Sequence, residues 1–440
     1  MSKMSLKLTD EPLVGHAGLI SIGEMLRIAA IDETCLHRES MAKPIKERDI
    51  LRAMCGLLTL GRTDFDHIRP FRQDEFFTRS LGLRQVPSEA TLRQRFQQMS
   101  EDQRVIDALP GCSLRLWKKL DFKPRVIERD NRKWVRVDVD PTILDCSDAP
   151  KREGVAFAHN NVLGYQLVCG FLEGGFMLAS QLRTGSAHAL CEGGVDFLKE
   201  IQNRSKKLTK TKLLNVLDCA FDSAEVMGLY RRDPDADFII KHNLRKESVI
   251  GWLETAKAHG VAHFPRPGKT VWRGSITREV KDVGPVRLVF EVTERTEKHG
   301  QLLLSPEITI FSVWTSLDLP EKDVLKLYRD RGTCEQYFAE LKSELDLERP
   351  PSGRFKANEL FYQVGMLAYN MLRMLGDWLL RADGLGLKKA NRRRLRTVMR
   401  GVMYMCGRMV KHARRQWLNV IGGRGWGEAL MTIHARLCSV

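Results

Sequence analysis

Between Arg132 and Asn243 the spacing of apolar residues changes several times, and that succession restricts the fold more than any other feature of the chain. Lys133-Trp134-Val135-Arg136-Val137-Asp138-Val139-Asp140-Pro141-Thr142 alternates apolar and polar with a period of two, which is the pattern of a half-buried strand. Tyr165–Leu172 and Phe176–Thr184 read as two further strands, joined by Glu173-Gly174-Gly175, a good hairpin turn. Gly193–Lys206 reads as a helix, and Leu213–Asp218 as a short apolar strand closed by an acid. Ser223–Arg231 is helical in pattern and Asp237–Asn243 is a strand. Three strands, a helix, a strand, a helix and a strand predict an α/β domain.

That order is the order of the ribonuclease H-like fold, although α/β folds share fragments of it. The flanking regions differ in character. From Gly18 to Leu120 apolar residues recur at intervals of three and four, as in Ile22–Ala30, Lys46–Leu60 and Asp74–Leu81, so this region is expected to be helical. Ser88 is placed to cap a helix that presents Arg93, Gln94, Arg95, Gln97 and Gln98, side chains able to meet base edges and phosphates or simply to face water. From Glu247 to Ser316 the strand candidates Val271–Ile276, Val286–Thr293 and Leu302–Val313 suggest a β-rich insertion. A basic loop follows at 348–358, then a strongly apolar helix, Leu360–Leu379. The expected layout is a helical DNA-binding region over 1–125, the first part of an α/β core over 126–246 and the insertion over 247–316. The last part of the core is expected over 317–380 and a basic helical region over 381–440.

With 440 residues the chain is long enough for two or three domains with cores of their own. Its formal net charge of +16 favours polyanionic partners, because cationic side chains neutralise phosphates and release counterions. Much of the excess lies near the C-terminus, where no acidic residue occurs between Lys388 and Arg415. There Lys388, Lys389, Arg392, Arg393, Arg394, Arg396 and Arg400 alternate with Leu395, Val398, Met399 and Val402, which predicts a basic amphipathic helix. The ten cysteines are scattered without a Cys-x-x-Cys pair, which excludes a zinc ribbon and suggests reduced thiols. No leader-like or membrane-spanning apolar run is found, so a cytoplasmic protein with no membrane partner is expected. Gly422-Gly423-Arg424-Gly425 lacks the Lys-Ser/Thr of a phosphate-binding loop, so no nucleotide cofactor is expected. His259 and His263 have a metal-like spacing but lack the glutamate of a zinc-protease helix.

The run from Lys326 to Lys342 carries the chemistry that stands out. Tyr328, Arg331, Glu335 and Lys342 are spaced by three, four and seven, so on a continuous helix they would fall within an arc of roughly 60°. One face would then offer a carboxylate for a metal ion, two cations for phosphate oxygens and a phenol. Two strands of the central region end in acids that could join Glu335 around divalent cations. On the first, Asp138 competes with Asp140, since both lie on one strand face; on the second, Asp222 competes with Asp218 and could instead cap the next helix.

With these residues in place, the chain resembles the DDE transposases of insertion sequences that carry a Tyr-(2)-Arg-(3)-Glu-(6)-Lys signature, and more narrowly the thirteen-eighty insertion-sequence family. The resemblance rests on that signature, on Asp140-Pro141-Thr142, on the strand ending at Asp218, and on Arg349–Asn358 with Leu367-Ala368-Tyr369-Asn370. It implies a metal-binding and catalytic triad of Asp140, Asp218 and Glu335, with Asp140 preferred because Thr142 follows it after one residue. It implies Mg²⁺ or Mn²⁺, two ions per site, with no covalent protein–DNA link. Tyr328, Arg331 and Lys342 would grip phosphates, and Lys241, Asn243, Arg245 and Lys246 would touch DNA. Arg93, Arg95, Arg354, Lys356, Arg392, Arg393, Arg394 and Arg396 complete the expected DNA surface. Relatives that form a DNA hairpin stack a flipped base on an aromatic of the insertion, for which Phe311 and Trp314 are candidates besides being candidates for the core. Two departures stand out: Asp218-Cys219-Ala220-Phe221 replaces the common Asp-Ser-Gly-Phe, and Gly332 stands where some relatives have Trp.

The resemblance implies a transposase that binds terminal inverted repeats of double-stranded DNA, cleaves, and joins 3′-hydroxyls to target DNA as a homodimer. The alternatives are a silent DNA-binding protein derived from a transposase and a nuclease on the same fold.

Overall fold

The structure is a computed structural model that describes residues 4, 6, 11–38, 44–158, 160–191, 193–298, 300–382, 385–386, 389–413, 415–421, 423 and 425–440. Lys388, Gly422 and Arg424, which the sequence singles out, lie outside them. The chain divides into two compact units: Met1–Phe122 with Asp148–Glu153 and Ala339–Val440, and Lys123–Ser147 with Gly154–Phe338.

Among the described residues of the second unit, eleven strands form one sheet. Its centre is built from Arg132–Asp145 (β1), Leu163–Leu172 (β2), Phe176–Thr184 (β3), Leu213–Leu217 (β4) and Ala236–Lys241 (β5). Strand β2 lies antiparallel between β1 and β3, while β4 runs parallel to β1 and β5 runs parallel to β4. Val135, Val137 and Val139 are buried on one face of β1, and every residue of the short β4 is buried, as expected of strands covered on both sides. The helices Gly194–Lys206 and Ala224–Arg231 make the connections before and after β4.

The turn between β2 and β3 falls at Glu173-Gly174-Gly175, where the Gly175 amide donates to the Leu172 carbonyl at 2.9 Å. Gly175 has φ +83°, and a Cβ there would stand 2.7 Å from the Tyr337 ring, so both backbone and space require glycine.

The insertion begins with a helix, Val249–His259. Four long strands follow: Gly260–Arg266 (β6), Lys269–Val280 (β7), Gly284–Lys298 (β8) and Gln301–Thr315 (β9). They are antiparallel neighbours, and Val313–Thr315 of β9 pairs with β5, so the insertion continues the central sheet. Trp134, Val216, Ile239, Val313, Val324 and Leu327 belong to one buried cluster that includes Tyr328.

In the first unit the helices Leu19–Ile28, Glu47–Thr59, Glu89–Ser100 and Gln103–Lys119 appear where periodicity predicts helix, and the Ser88 hydroxyl accepts the Thr91 amide as a cap. The apolar helix Phe355–Trp378 packs against three of these and is buried without interruption from Leu360 to Gly376, which explains its lack of a polar face. Asn370 reaches Ser113 at 3.1 Å.

The C-terminal basic segment departs from the expected amphipathic helix. After a short helix, Leu395–Val398, and a π-turn, Met399–Met403, the chain forms a hairpin of Cys406–His412 with Arg415–Ile421, then a helix, Trp426–Cys438. The second half carries Trp417, Val420 and Ile421 and the first Val410, residues that suit a pleated surface, and Leu13–Val14 adds a third strand to them. No described helix is long and apolar enough to cross a membrane.

Candidate active site

The signature run is not one helix. Glu321–Arg329 is α-helical, Asp330 and Arg331 form a turn, Gly332–Ala339 is helical again, and Glu340–Glu344 is a π-turn. The four signature side chains therefore do not share a face by regular helical period. Gly332, a poor helix residue, stands at the first break, and the widened turn at 340–344 shifts the period before Lys342.

The two aspartates do come together. Val139 of β1 pairs with Leu217 of β4 in parallel register, so Asp140 and Asp218 are the next residues on adjacent strands. Asp218 adds to the forces that raise the Asp140 pKa, which burial chiefly drives and Arg331 opposes, leaving Asp140 pushed up to about 7. The Arg331 guanidinium forms an ion pair with Asp140 Oδ1, and both side chains are 15 % exposed. Nη2 carries that contact, while the buried Nε has no hydrogen-bond partner among the described residues. The guanidinium also stands 6.0 Å from the Tyr328 ring centre. Tyr328 is buried, which raises its pKa, with Asp218 and Asp140 adding to the effect.

Asp138 has a different environment. It is buried, and Arg136 donates to its Oδ1 from Nε at 3.0 Å and from Nη2 at 2.8 Å. Burial raises its pKa and Arg136 opposes the rise. Sequence reasoning missed this pair, although the residues stand two apart on one strand face, the spacing that lets an arginine neutralise an acid beside it. Asp222 does not cap the following helix, since Ser223 does; its Oδ2 accepts the Asn243 amide at 2.7 Å.

Lys241 lies within electrostatic reach of Asp218, and burial lowers its pKa to about 8. Its Nζ is 3.6 Å from the Phe311 ring centre, and Arg329 approaches the same ring at 5.1 Å. Phe311 is thus half-buried between two cations, whereas Trp314 is buried against His242. Asn243, Arg245 and Lys246 are exposed.

Glu335 is exposed, and neighbouring Cys334 is the buried residue that senses Asp138 and Asp140. Among the described residues no three His, Cys, Asp or Glu side chains stand where they could hold a metal ion together. The pair at Asp140 and Asp218 still suits a divalent cation, since two adjacent carboxylates in a buried setting supply oxygen donors and repel each other.

The other expected DNA contacts divide by environment. Arg93, Arg354, Lys356, Arg394 and Arg396 are exposed, with Arg394 paired to Glu344 and Arg93 to Asp66. Arg95 is turned inward to Glu47 at 2.8 Å, and Arg392 is paired with the buried Glu340, which Arg373 also holds. In both, the guanidinium serves a buried carboxylate, which needs a cation beside it. Arg393 is half-buried, and Lys342 stands 3.5 Å from Glu348.

The family model described as transposase DDE domain group 1 matches residues 2–440. The chain belongs to this family of DDE transposases. This transposase therefore belongs to DNA transposition and recombination. Among solved structures it is similar to the piggyBac transposase in its synaptic complex with hairpin DNA, determined by cryo-EM. The identity is 11 %, the match covers 97 % of this chain and 82 % of that one, and the TM-score is 0.44. No curated protein matches the transposase.

Proposed function

We propose that this transposase binds the terminal inverted repeats of an insertion sequence, excises the element by metal-dependent phosphodiester cleavage and joins its 3′-hydroxyl ends to target DNA. The observation that carries the reading is the in-register placement of Asp140 and Asp218, with Arg331 and Tyr328 packed against them. The strand order β3-β2-β1-β4-β5, antiparallel then parallel, supports a ribonuclease H-like core, and the signature spacing supports the thirteen-eighty insertion-sequence family.

In this reading Asp140 and Asp218 hold Mg²⁺ or Mn²⁺, and Glu335 completes the set by turning inward from its helix. Two bound ions would activate the attacking water or 3′-hydroxyl and stabilise the leaving oxygen. The protein's own groups position the substrate. Arg331 offers a guanidinium fork to a phosphate oxygen, Tyr328 offers a phenol, and Lys241 places positive charge beside Asp218. Lys342, Asn243, Arg245, Lys246, Arg354 and Lys356 extend the phosphate contacts, with Arg93, Arg393, Arg394 and Arg396 on further DNA-facing surfaces. Because two transposon ends must be joined, a homodimer on DNA is part of the proposal.

The test is incubation of the protein with supercoiled plasmid carrying the flanking inverted repeats and Mg²⁺ or Mn²⁺. Release of the element by wild type, and its loss in Asp140→Ala, Asp218→Ala and Glu335→Ala, are expected. Release that persists in any of the three removes that residue from the mechanism.

A further inference from the structure

The contact between Arg331 and Asp140 sets a charge problem for the site. Asp140 and Asp218 carry two formal negative charges, and Arg331 and Lys241 supply two positive ones. Further out, Arg136 and Asp138 pair with one another, Asp330 acts on Asp138, and Arg329 acts on Lys241 while paired to Glu291. A divalent cation added to this balanced set would leave an excess of positive charge in a buried place, while a phosphate brought in with it would restore the balance.

The guanidinium is also poorly satisfied where it stands. Arg331 meets Asp140 Oδ1 through Nη2, and its buried Nε has no hydrogen-bond partner among the described residues. Buried donors are normally paired, and the paired oxygens of a phosphate match a guanidinium fork. Arg331 lies in the two-residue turn between helices, where its amide donates to the Tyr328 carbonyl at 2.9 Å and its carbonyl accepts the Cys334 amide at 2.8 Å.

We propose that Arg331 gates metal loading: in the DNA-free protein its guanidinium holds the Asp140 carboxylate, and a DNA phosphate draws it away so that the ion binds. This inference rests on the reading of Asp140 and Asp218 as the metal-holding pair. Its consequence is that metal and DNA bind with positive coupling, each raising the affinity for the other by the same factor. Away from DNA the carboxylate pair stays closed to metal.

Mn²⁺ binding by the full-length protein, read from the electron paramagnetic resonance signal of the free ion at pH 8, tests the gate without recourse to activity. Wild type is expected to bind Mn²⁺ weakly alone and about tenfold or more tightly with the inverted-repeat duplex present. Arg331→Gln should bind about tenfold more tightly than wild type without DNA and gain little when the duplex is added. Equal or weaker Mn²⁺ binding by Arg331→Gln overturns the gate, because a guanidinium that orients Asp140 for the ion would give that sign. Should Arg331→Gln fail to fold by circular dichroism, the wild-type comparison decides, and equal affinity with and without duplex overturns the gate. Asp140→Asn and Asp218→Asn separate the two readings. Mn²⁺ binding unchanged in both removes the carboxylate pair itself, whereas binding lost in both with no gain in Arg331→Gln removes the gate alone.

Discussion

Asp140, inside the long strand β1, and Asp218, just past the end of β4, stand at the same level because Val139 is paired with Leu217. Burial disfavours the charge on Asp140, and Asp218 adds to that effect while Arg331 opposes it, with the net result near 7 against an ordinary 3.8. The folded value lies above the unfolded one. The folded protein therefore keeps a proton that the unfolded chain releases, and the stability this provides is lost as pH rises from about 4 to about 7. The loss is at most about 4 kcal/mol. In EDTA, the melting temperature of wild type relative to Asp140→Asn should fall between pH 5 and pH 8. Parallel melting curves for the two proteins across that range would show that Asp140 does not carry the shift.

The Arg136–Asp138 pair predicts a different outcome two residues earlier on the same strand. Both side chains are nearly inaccessible, so Arg136→Ala leaves a buried carboxylate without its cation and should cost about 3–5 kcal/mol in urea unfolding. Arg136→Met with Asp138→Leu, which removes both charges, should recover most of that loss. Asp138→Asn should lower stability and leave Mn²⁺ binding in place. Loss of Mn²⁺ binding in Asp138→Asn but not in Asp140→Asn would exchange the roles of the two acids.

Gly175 links the β2–β3 turn to the helix that bears Glu335, through its approach to Tyr337. Gly175→Ala puts an alanine at φ +83° and a methyl against the ring, which together should cost about 2–4 kcal/mol. Gly174 also has positive φ, but a Cβ there meets only the Arg125 side chain, at 3.3 Å, so Gly174→Ala should cost less. Plasmid cleavage should fall more in Gly175→Ala than in Gly174→Ala. Equal loss of stability in the two variants would show that the Tyr337 contact is unimportant.

The succession of strands and helices was legible from periodicity, whereas the choice of Asp140 over Asp138 and of Asp218 over Asp222 came from the family resemblance. Alternation in β1 and the apolar run of β4 each fix a strand, but β1 continues past Asp140 to Asp145, so only Asp218 follows the end of its strand. The signature helix was misread for a reason of the same kind. A spacing of three, four and seven assumes a continuous period, and neither the turn at Asp330–Arg331 nor the π-turn at Glu340–Glu344 is written in apolar spacing. The C-terminal hairpin was missed because basic residues dominate the segment, while Val410, Trp417, Val420 and Ile421 carry the strand pattern more faintly. Burial of Arg95 and Arg392 depends on Glu47 and Glu340, distant in sequence, so a linear reading assigns both to the surface.

That difference in burial among the C-terminal arginines gives the last prediction. Arg392 pairs with Glu340, which is wholly buried and shared with Arg373, so Arg392→Ala leaves the carboxylate under-compensated and should cost roughly 3 kcal/mol. Arg396 and Arg400, in contrast, have exposed side chains. Replacing either with alanine should change stability by no more than about 0.5 kcal/mol. If they contact phosphates, each replacement lowers the slope of log affinity against log salt by about 1, uniformly across DNA sequences. Thermal melting and duplex binding titrated between about 50 and 200 mM salt, over which the Debye length falls about twofold, separate the two effects. A salt slope unchanged in both Arg396→Ala and Arg400→Ala would take this segment off the DNA. A melting temperature unchanged in Arg392→Ala would show that Arg373 alone suffices for Glu340.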